Sequence, residues 1–393
     1  MPGTGATRGR RDAVVRLVPL MASQVLVAVT GLLVTRFVAP DVRGQLTACL
    51  VWTSLAFVAT SLSGPQSIVM RRESNEPPAL LTPLDHRRLV LANLIAGCMV
   101  AGLMAATVAL RDPLGLATVA LLPAFMFAFE YASQHALVCN ARSFTILRVL
   151  QAGAFLALAP AAAFTFHRTT PVLLALLLSY ALTWACAPRF WWSLREVDTG
   201  NFWRWCRSTH PGLVLTHVSG RTDLLIVSLA FPPKQAGLYA AASALPGLAA
   251  FLGRGVGIAI APQMRSSHRR RLYLEGVAVV ILLSSPLVLV GTLWPAELLT
   301  ALFGTDYSAG GSVLAFLAAG AWVWNLSTYQ SQVMAAAGRG AAQSVAQTTA
   351  FMILLAASIT AVVLDELLIA AAGNFVAYAA ASAVQWWALR TLS

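Results

Sequence analysis

LLVTRFVAPDVRGQLTA at residues 32–48 returns about half a chain later as LLIVSLAFPPKQAGLYAA at residues 224–241. In each copy an apolar run meets a Pro-x3-Gly element, Pro40 with Gly44 and Pro233 with Gly237, and a second apolar run follows. Apolar runs of roughly 20 residues are long enough to cross a bilayer as helix, so each copy reads as two membrane helices joined by a tight turn. The match continues outward in the same order. The second helices end alike, in SGPQSIVMRR (63–72) and IAIAPQMRSS (258–267). Basic turns, HRRL (86–89) and RRRL (269–272), open helices three and nine, and CNAR (139–142) and AAGR (336–339) close helices four and ten. Ordered loop matches of this kind point to an internal duplication.

The composition agrees. Hydrophobic residues make up 58% of the 393 and charged residues 11%, whereas a soluble domain carries about 25% charged residues. A water-facing surface cannot be built from this chain, so it is integral to a membrane. About twelve spans of membrane length can be laid along it, among them 44–68, 210–231, 235–262 and 309–337. The expected fold is therefore all-α, with about twelve transmembrane helices arranged as two six-helix bundles around a central cavity. The expected divisions are a tail (1–16), an N-terminal bundle (17–193), a linker (194–209) and a C-terminal bundle (210–393). The apolar run after the tail has no small-residue cleavage site and reads as an uncleaved first helix.

Positive charge orients the spans. Arg8, Arg10, Arg11, Arg71, Arg72, Arg87, Arg88, Arg148, Arg269, Arg270 and Arg271 fall on the side of the termini. Arg36, Arg43, Arg111, Arg168 and Lys234 fall opposite, with the acids Glu297, Asp306, Asp365 and Glu366. That bias places both termini in the cytoplasm, in a multi-pass protein of the inner (cytoplasmic) membrane. The net charge of +12 is thus a topology signal, and no nucleic-acid partner is needed to explain it. Five scattered cysteines, without CxxC or CxH spacing, suggest neither a disulfide framework nor a metal site. Nothing in the chain calls for a cofactor.

Charges inside apolar spans are costly and tend to face a cavity or a partner. Glu130, Arg221, Asp223 and Arg254 are the candidates. His217 and Arg221, four apart, share a helix face. Arg221 and Arg254 are placed at the cavity wall with His217 nearby, where guanidinium groups can bind phosphate oxygens bidentately. Neutralisation of Arg221 by Glu130 or Asp223 is the plainer alternative. An intrahelical Arg221–Asp223 bridge is poor at this spacing unless Gly220 loosens the helix. Asp223 is expected to reach another helix, for helix pairing rather than ion coupling. Glu130 is either a protonation site or a partner of Gln134 one turn on. Asn325, Gln330 and Gln332 give helix ten a polar face suited to sugar hydroxyls or to interhelical hydrogen bonds.

RFVAPDVRGQLTA (36–48), SGRTDLLIVSLAFPPKQAGLYAAASAL (219–245) and LTALFGTDYSAGGSVLAFLAAG (299–320) resemble segments of the multidrug/oligosaccharidyl-lipid/polysaccharide (MOP) flippase superfamily. The nearest branch is that of oligosaccharide flippases and polysaccharide-biosynthesis transporters, and the resemblance covers nearly the whole chain. It implies a transporter without catalytic residues, moving a polyprenyl-diphosphate-linked glycan between leaflets by alternating access. The implied partners are membrane lipids and polysaccharide-synthesis enzymes, with H+ or Na+ as a possible coupling ion. A multidrug exporter of the same superfamily would be expected to carry an acid in helix one, where this chain has Ser23 and Gln24. A lipid II flippase typically has two further helices and more arginine in its first two. A membrane glycosyltransferase or polymerase would call for a large outer loop, and a non-transporting scaffold is the remaining alternative.

Overall fold

A computed structural model describes residues 22–62, 65, 83–108, 110–139, 141–185, 210–211, 214–215, 217–260, 269–337 and 339–390. The tail, the linker 194–209 and the two matched segments that end the second helices fall wholly or mainly outside these residues. In chain order the helices are α1 (Ala22–Phe37), α2 (Pro40–Thr60), α3 (Pro83–Thr107), α4 (Pro113–Cys139), α5 (Ala141–Phe166) and α6 (Thr169–Ala185). Then follow α7 (Thr222–Ala230), α8 (Pro233–Ile260), α9 (Arg269–Leu293), α10 (Pro295–Phe303), α11 (Gly311–Ala336), α12 (Gly340–Leu364) and α13 (Leu367–Leu389). Nine of the described helices are long and apolar enough to cross a membrane, and α1 and α6 are shorter apolar helices. Among the described residues each of the expected spans contains helix, 210–231 with a break, and the fold is all-α.

The exposed surface is what lipid requires. Large apolar side chains such as Met99, Leu282 and Val363 point outward, Val363 with 76% of its surface exposed. Small residues fill the helix contacts, where the absence of a hydrophobic force between helices leaves close backbone packing as the main attraction. Ala346, Ala350, Ala377 and Ala381 form one buried core around Leu354 and Tyr378. Pro123, Pro160, Pro246 and Pro286 lie within helices.

Two local expectations are corrected. The Pro-x3-Gly elements are not turns, because Pro40 and Pro233 are the first helical residues of α2 and α8. Proline suits that position, since its missing N–H would have no intrahelical partner there. Gly44 and Gly237 are packing glycines instead. A Cβ on Gly44 would run into the Pro233 carbonyl, and a Cβ on Gly237 into the Pro40 carbonyl. The duplicated motif thus packs against its own copy through two reciprocal backbone contacts. The segment 295–307 after α9, expected as the longest of the short outer loops, is likewise no simple loop. It folds as α10 and a 3-10 turn, Thr305–Gly310, joined by Gly304 at φ 108°, a conformation that L side chains rarely adopt.

By internal contacts the described residues divide into two compact units, those up to 38 with those from 52 to 214, and those from 39 to 51 with those from 215 onward. The first turns of α2 therefore belong with the second unit. In the first unit, Asp112 caps α4 by accepting from Leu114 N at 3.2 Å. A side-chain hydrogen bond with Thr170 holds the Asp112 carboxyl below its ordinary value. Its contribution to stability is present above the ordinary carboxylate range and fades as pH falls through the depressed value.

Candidate functional site

The seventh span is broken. Residues 217–219 are helical, Gly220 and Arg221 form a turn, and α7 starts afresh at Thr222. Arg221 sits at φ −145°, ψ 11°, outside helical geometry. Its N–H donates to Val218 O at 2.9 Å, one residue short of the α-helical spacing. Gly220 supplies the freedom for this break, and neighbouring groups repair it. Thr222 Oγ1 donates to Val218 O at 2.8 Å, and the Tyr378 hydroxyl of α13 donates to Ser219 O at 3.3 Å. Irregular backbone at membrane depth is tolerated only where it is buried in protein or lines a cavity.

Asp223 lies in the first turn of the restarted helix and is buried. Its Oδ1 accepts from Leu224 N at 2.8 Å, and its Oδ2 accepts from Tyr239 OH at 2.7 Å and Asn374 Nδ2 at 3.0 Å. Three helices, α7, α8 and α13, are thereby tied to one carboxylate. The helix dipole also favours negative charge at this end. No lysine or arginine among the described residues forms an ion pair with Asp223. Arg221, two residues away, lies within electrostatic reach of Asp223, but the break that Gly220 permits does not bring the two into a direct salt bridge.

Polar contacts continue through the second unit. Ser219 Oγ donates to Gln347 Oε1 at 3.0 Å, and Ser331 Oγ accepts from Gln347 Nε2 at 3.3 Å and from Gln385 Nε2 at 2.7 Å. Gln330 donates to Tyr273 OH at 2.9 Å and accepts from Ser382 Oγ at 2.8 Å. Asn325 Oδ1 accepts from Gly253 N at 2.6 Å. The polar residues Asn325 and Gln330 of α11 are therefore occupied in interhelical bonds.

Of the cationic candidates, Arg221 and Arg254 are exposed and His217 is half-buried. Arg254 follows Gly253, whose backbone is pinned to Asn325 and whose Cβ position is filled by α11. His217 lies within electrostatic reach of Arg221. Glu130 pairs with neither Arg221 nor Gln134. Arg148 of α5 grips it bidentately, Nη1 to Oε1 at 2.8 Å and Nη2 to Oε2 at 2.6 Å. The guanidinium also lies over the rings of Phe129 and Phe144, at 5.1 and 5.6 Å. Arg148 thus does more than mark topology: it neutralises Glu130 inside the first unit. Tyr239, Asn374 and Tyr378 were not singled out from sequence, and Arg148 was read there only as a topology charge.

Removing one partner of a largely buried ion pair leaves the other uncompensated. Arg148→Ala is expected to destabilise the protein by about 3 kcal/mol. The Arg148→Met, Glu130→Leu double variant should lose much less, because neither charge is left alone. Thermal unfolding in detergent checks both, and equal losses would show that Arg148 acts through packing alone.

No family model and no curated protein matches the chain. Solved structures do. The lipid II flippase MurJ, in an inward closed conformation, aligns with a TM-score of 0.75 at 12% identity, covering 96% of this chain and 88% of its own. An inward-facing MATE multidrug-resistance transporter of the MOP superfamily aligns with a TM-score of 0.66 at 15% identity, covering 97% of this chain and 98% of its own. A mutant of the Vibrio cholerae MATE transporter VcmN gives 0.55 at 15% identity, covering 98% and 96%. At these identities the likeness is one of fold: the chain has the fold of the MurJ and MATE transporter structures.

Proposed function

We propose that the protein is a flippase that carries a polyprenyl-diphosphate-linked oligosaccharide from the inner to the outer leaflet, for cell-surface polysaccharide biosynthesis. Two six-helix bundles, 17–193 and 210–393, would alternate in access around a cavity between them, with both termini in the cytoplasm. The observation that carries the proposal is the exposure of Arg221 and Arg254 within apolar spans of the second unit. An exposed arginine at membrane depth faces a water-filled cavity far more often than lipid, and guanidinium groups suit a diphosphate. The name of the MurJ structure, a lipid II flippase, supports a lipid-linked cargo. No covalent chemistry is required, so the protein acts as a transporter rather than an enzyme. Asp223 was read from sequence as a helix-pairing residue; its burial and its three hydrogen bonds make it, in this proposal, also the candidate for coupling with H+ or Na+.

The multidrug-exporter alternative shares the fold but fits an acidic cavity better than a cationic one. Headgroup translocation in proteoliposomes separates the two. Wild type should move lipid-linked diphosphate glycans, and Arg221→Ala and Arg254→Ala should each slow the movement about 10-fold or more, the loss of one charge-assisted contact. Export of cationic drugs with no lipid-linked glycan moved would sink the flippase proposal. Normal transport by both variants would leave the flippase standing and remove the arginine site.

A further inference from the structure

A cleft of about 460 Å³ opens in the first unit, between α3, α4 and α6. Its walls include Val90 and Leu94 of α3 and Phe125 and Ala128 of α4, while Arg87 and Trp184 line it from helix ends. Arg87 lies near the start of α3 and Trp184 near the end of α6. Successive spans run antiparallel, so these two ends fall on the same face of the membrane, the face that the arginine bias makes cytoplasmic. Leu94 lies seven residues beyond Arg87, about 10 Å deeper along the helix. The cleft therefore runs from headgroup depth into hydrocarbon depth and is lined almost wholly by apolar groups.

Its mouth carries a feature that apolar packing does not explain. Arg87 is exposed and has no ion-pair or hydrogen-bond partner among the described residues. Asp85, the acid nearest in sequence, faces Arg88 instead, at 3.6 Å. An uncommitted guanidinium beside an interfacial tryptophan complements a phosphodiester, and no acid among the lining residues would receive a headgroup ammonium.

We propose that this cleft holds one acyl chain of an anionic glycerophospholipid whose phosphodiester is bound by Arg87. A single arginine matches a single phosphate. The cations suited to a diphosphate, Arg221 and Arg254, belong to the other unit and line no part of this cleft.

The test uses the purified full-length chain in detergent, with phosphatidylglycerol, phosphatidylcholine or polyprenyl phosphate added, and retained lipid read by native mass spectrometry. Phosphatidylglycerol should be kept in preference to phosphatidylcholine. Arg87→Ala should cut its retention about 5-fold, while lipid-free thermal unfolding is unchanged. Arg87→Lys should retain most of it, and Ala128→Phe should block the chain. Should the filled variant fail to fold, the exposed Arg87→Ala decides alone. Equal retention of the two phospholipids, or retention unaffected by Arg87→Ala, overturns the proposal. Displacement of phosphatidylglycerol by polyprenyl phosphate at equal concentration also overturns it, by assigning the cleft to an isoprenoid tail. No outcome depends on transport, so the flippase proposal stands or falls separately.

Discussion

Asp223→Asn is expected to give a protein that folds as well as wild type and transports on the order of 100-fold more slowly. The reasoning starts from cost. A carboxylate at the centre of a membrane helix costs about 2.5–3.5 kcal/mol on insertion scales, and among the described residues no direct ion pair offsets it. Three donors do hold it, from Leu224, Tyr239 and Asn374. An asparagine keeps an oxygen for Tyr239 and Asn374 and turns its amide toward Leu224 N, so one bond is lost. That loss, about 1 kcal/mol, is offset by removing the charge, and stability should change little. What disappears is the ability to be neutral in one state and charged in another.

Asp223→Ala provides the contrast. It leaves the Tyr239 hydroxyl and the Asn374 amide buried without their acceptor, at about 1–3 kcal/mol each, so it should lower stability as well as transport. The measurement pairs thermal unfolding with translocation into proteoliposomes under an imposed proton or sodium gradient. Wild type should respond to one of the gradients, and Asp223→Asn should respond to neither. A fully active, gradient-sensitive Asp223→Asn would make the residue a tie between α7, α8 and α13 and nothing more.

How far such a site can be read from sequence depends on what its parts have in common. Arg221 and Asp223 were legible because a charge inside an apolar run stands out wherever its helix faces. Their partners were not. Asn374 is a modest polar residue in LLIAAAGNFVAYAA, and Tyr239 sits in the alanine-rich start of α8. Only the rotation of packed helices brings both to one oxygen. Arg148 was misjudged for a related reason, because an arginine near a helix start looks like a topology marker until the structure places Glu130 beside it. The break at Gly220 was legible only as a condition, since glycine permits a turn without requiring one. The short helix α10 had its signals in plain view: Pro295 at the first position, Glu297 in the first turn and Gly304 after the end. Nine residues were too few to register as an element against spans twice that length. The large-scale fold was legible because span length and duplication are properties of many residues, which single errors do not erase.

Gly237→Val carries the other large expected effect, because its cause is backbone meeting backbone. A Cβ at Gly237 would occupy the place of the Pro40 carbonyl, and one at Gly44 the place of the Pro233 carbonyl. Rotamer change cannot relieve either clash, so α2 and α8 must move apart. Overpacking a flexible core costs about 1–3 kcal/mol, and two rigid helix starts should place Gly237→Val at or above the upper end, about 3 kcal/mol. Gly44→Val should cost about the same, since the contacts are reciprocal. The double variant is the discriminating one. Once either side chain has parted the helices, the second meets little further resistance, so the combined loss should fall well short of the sum. Two strictly additive losses would mean that each glycine matters for its own helix, through propensity, and that the crossing is incidental. The same variants bear on transport. If moving cargo requires α2 and α8 to part at this end, each valine favours the parted form. A cysteine placed at Gln45 should then become more reactive to a water-soluble thiol reagent in Gly237→Val than in the wild-type background. Unchanged reactivity, with destabilisation present, would show that the crossing holds the fold together without opening.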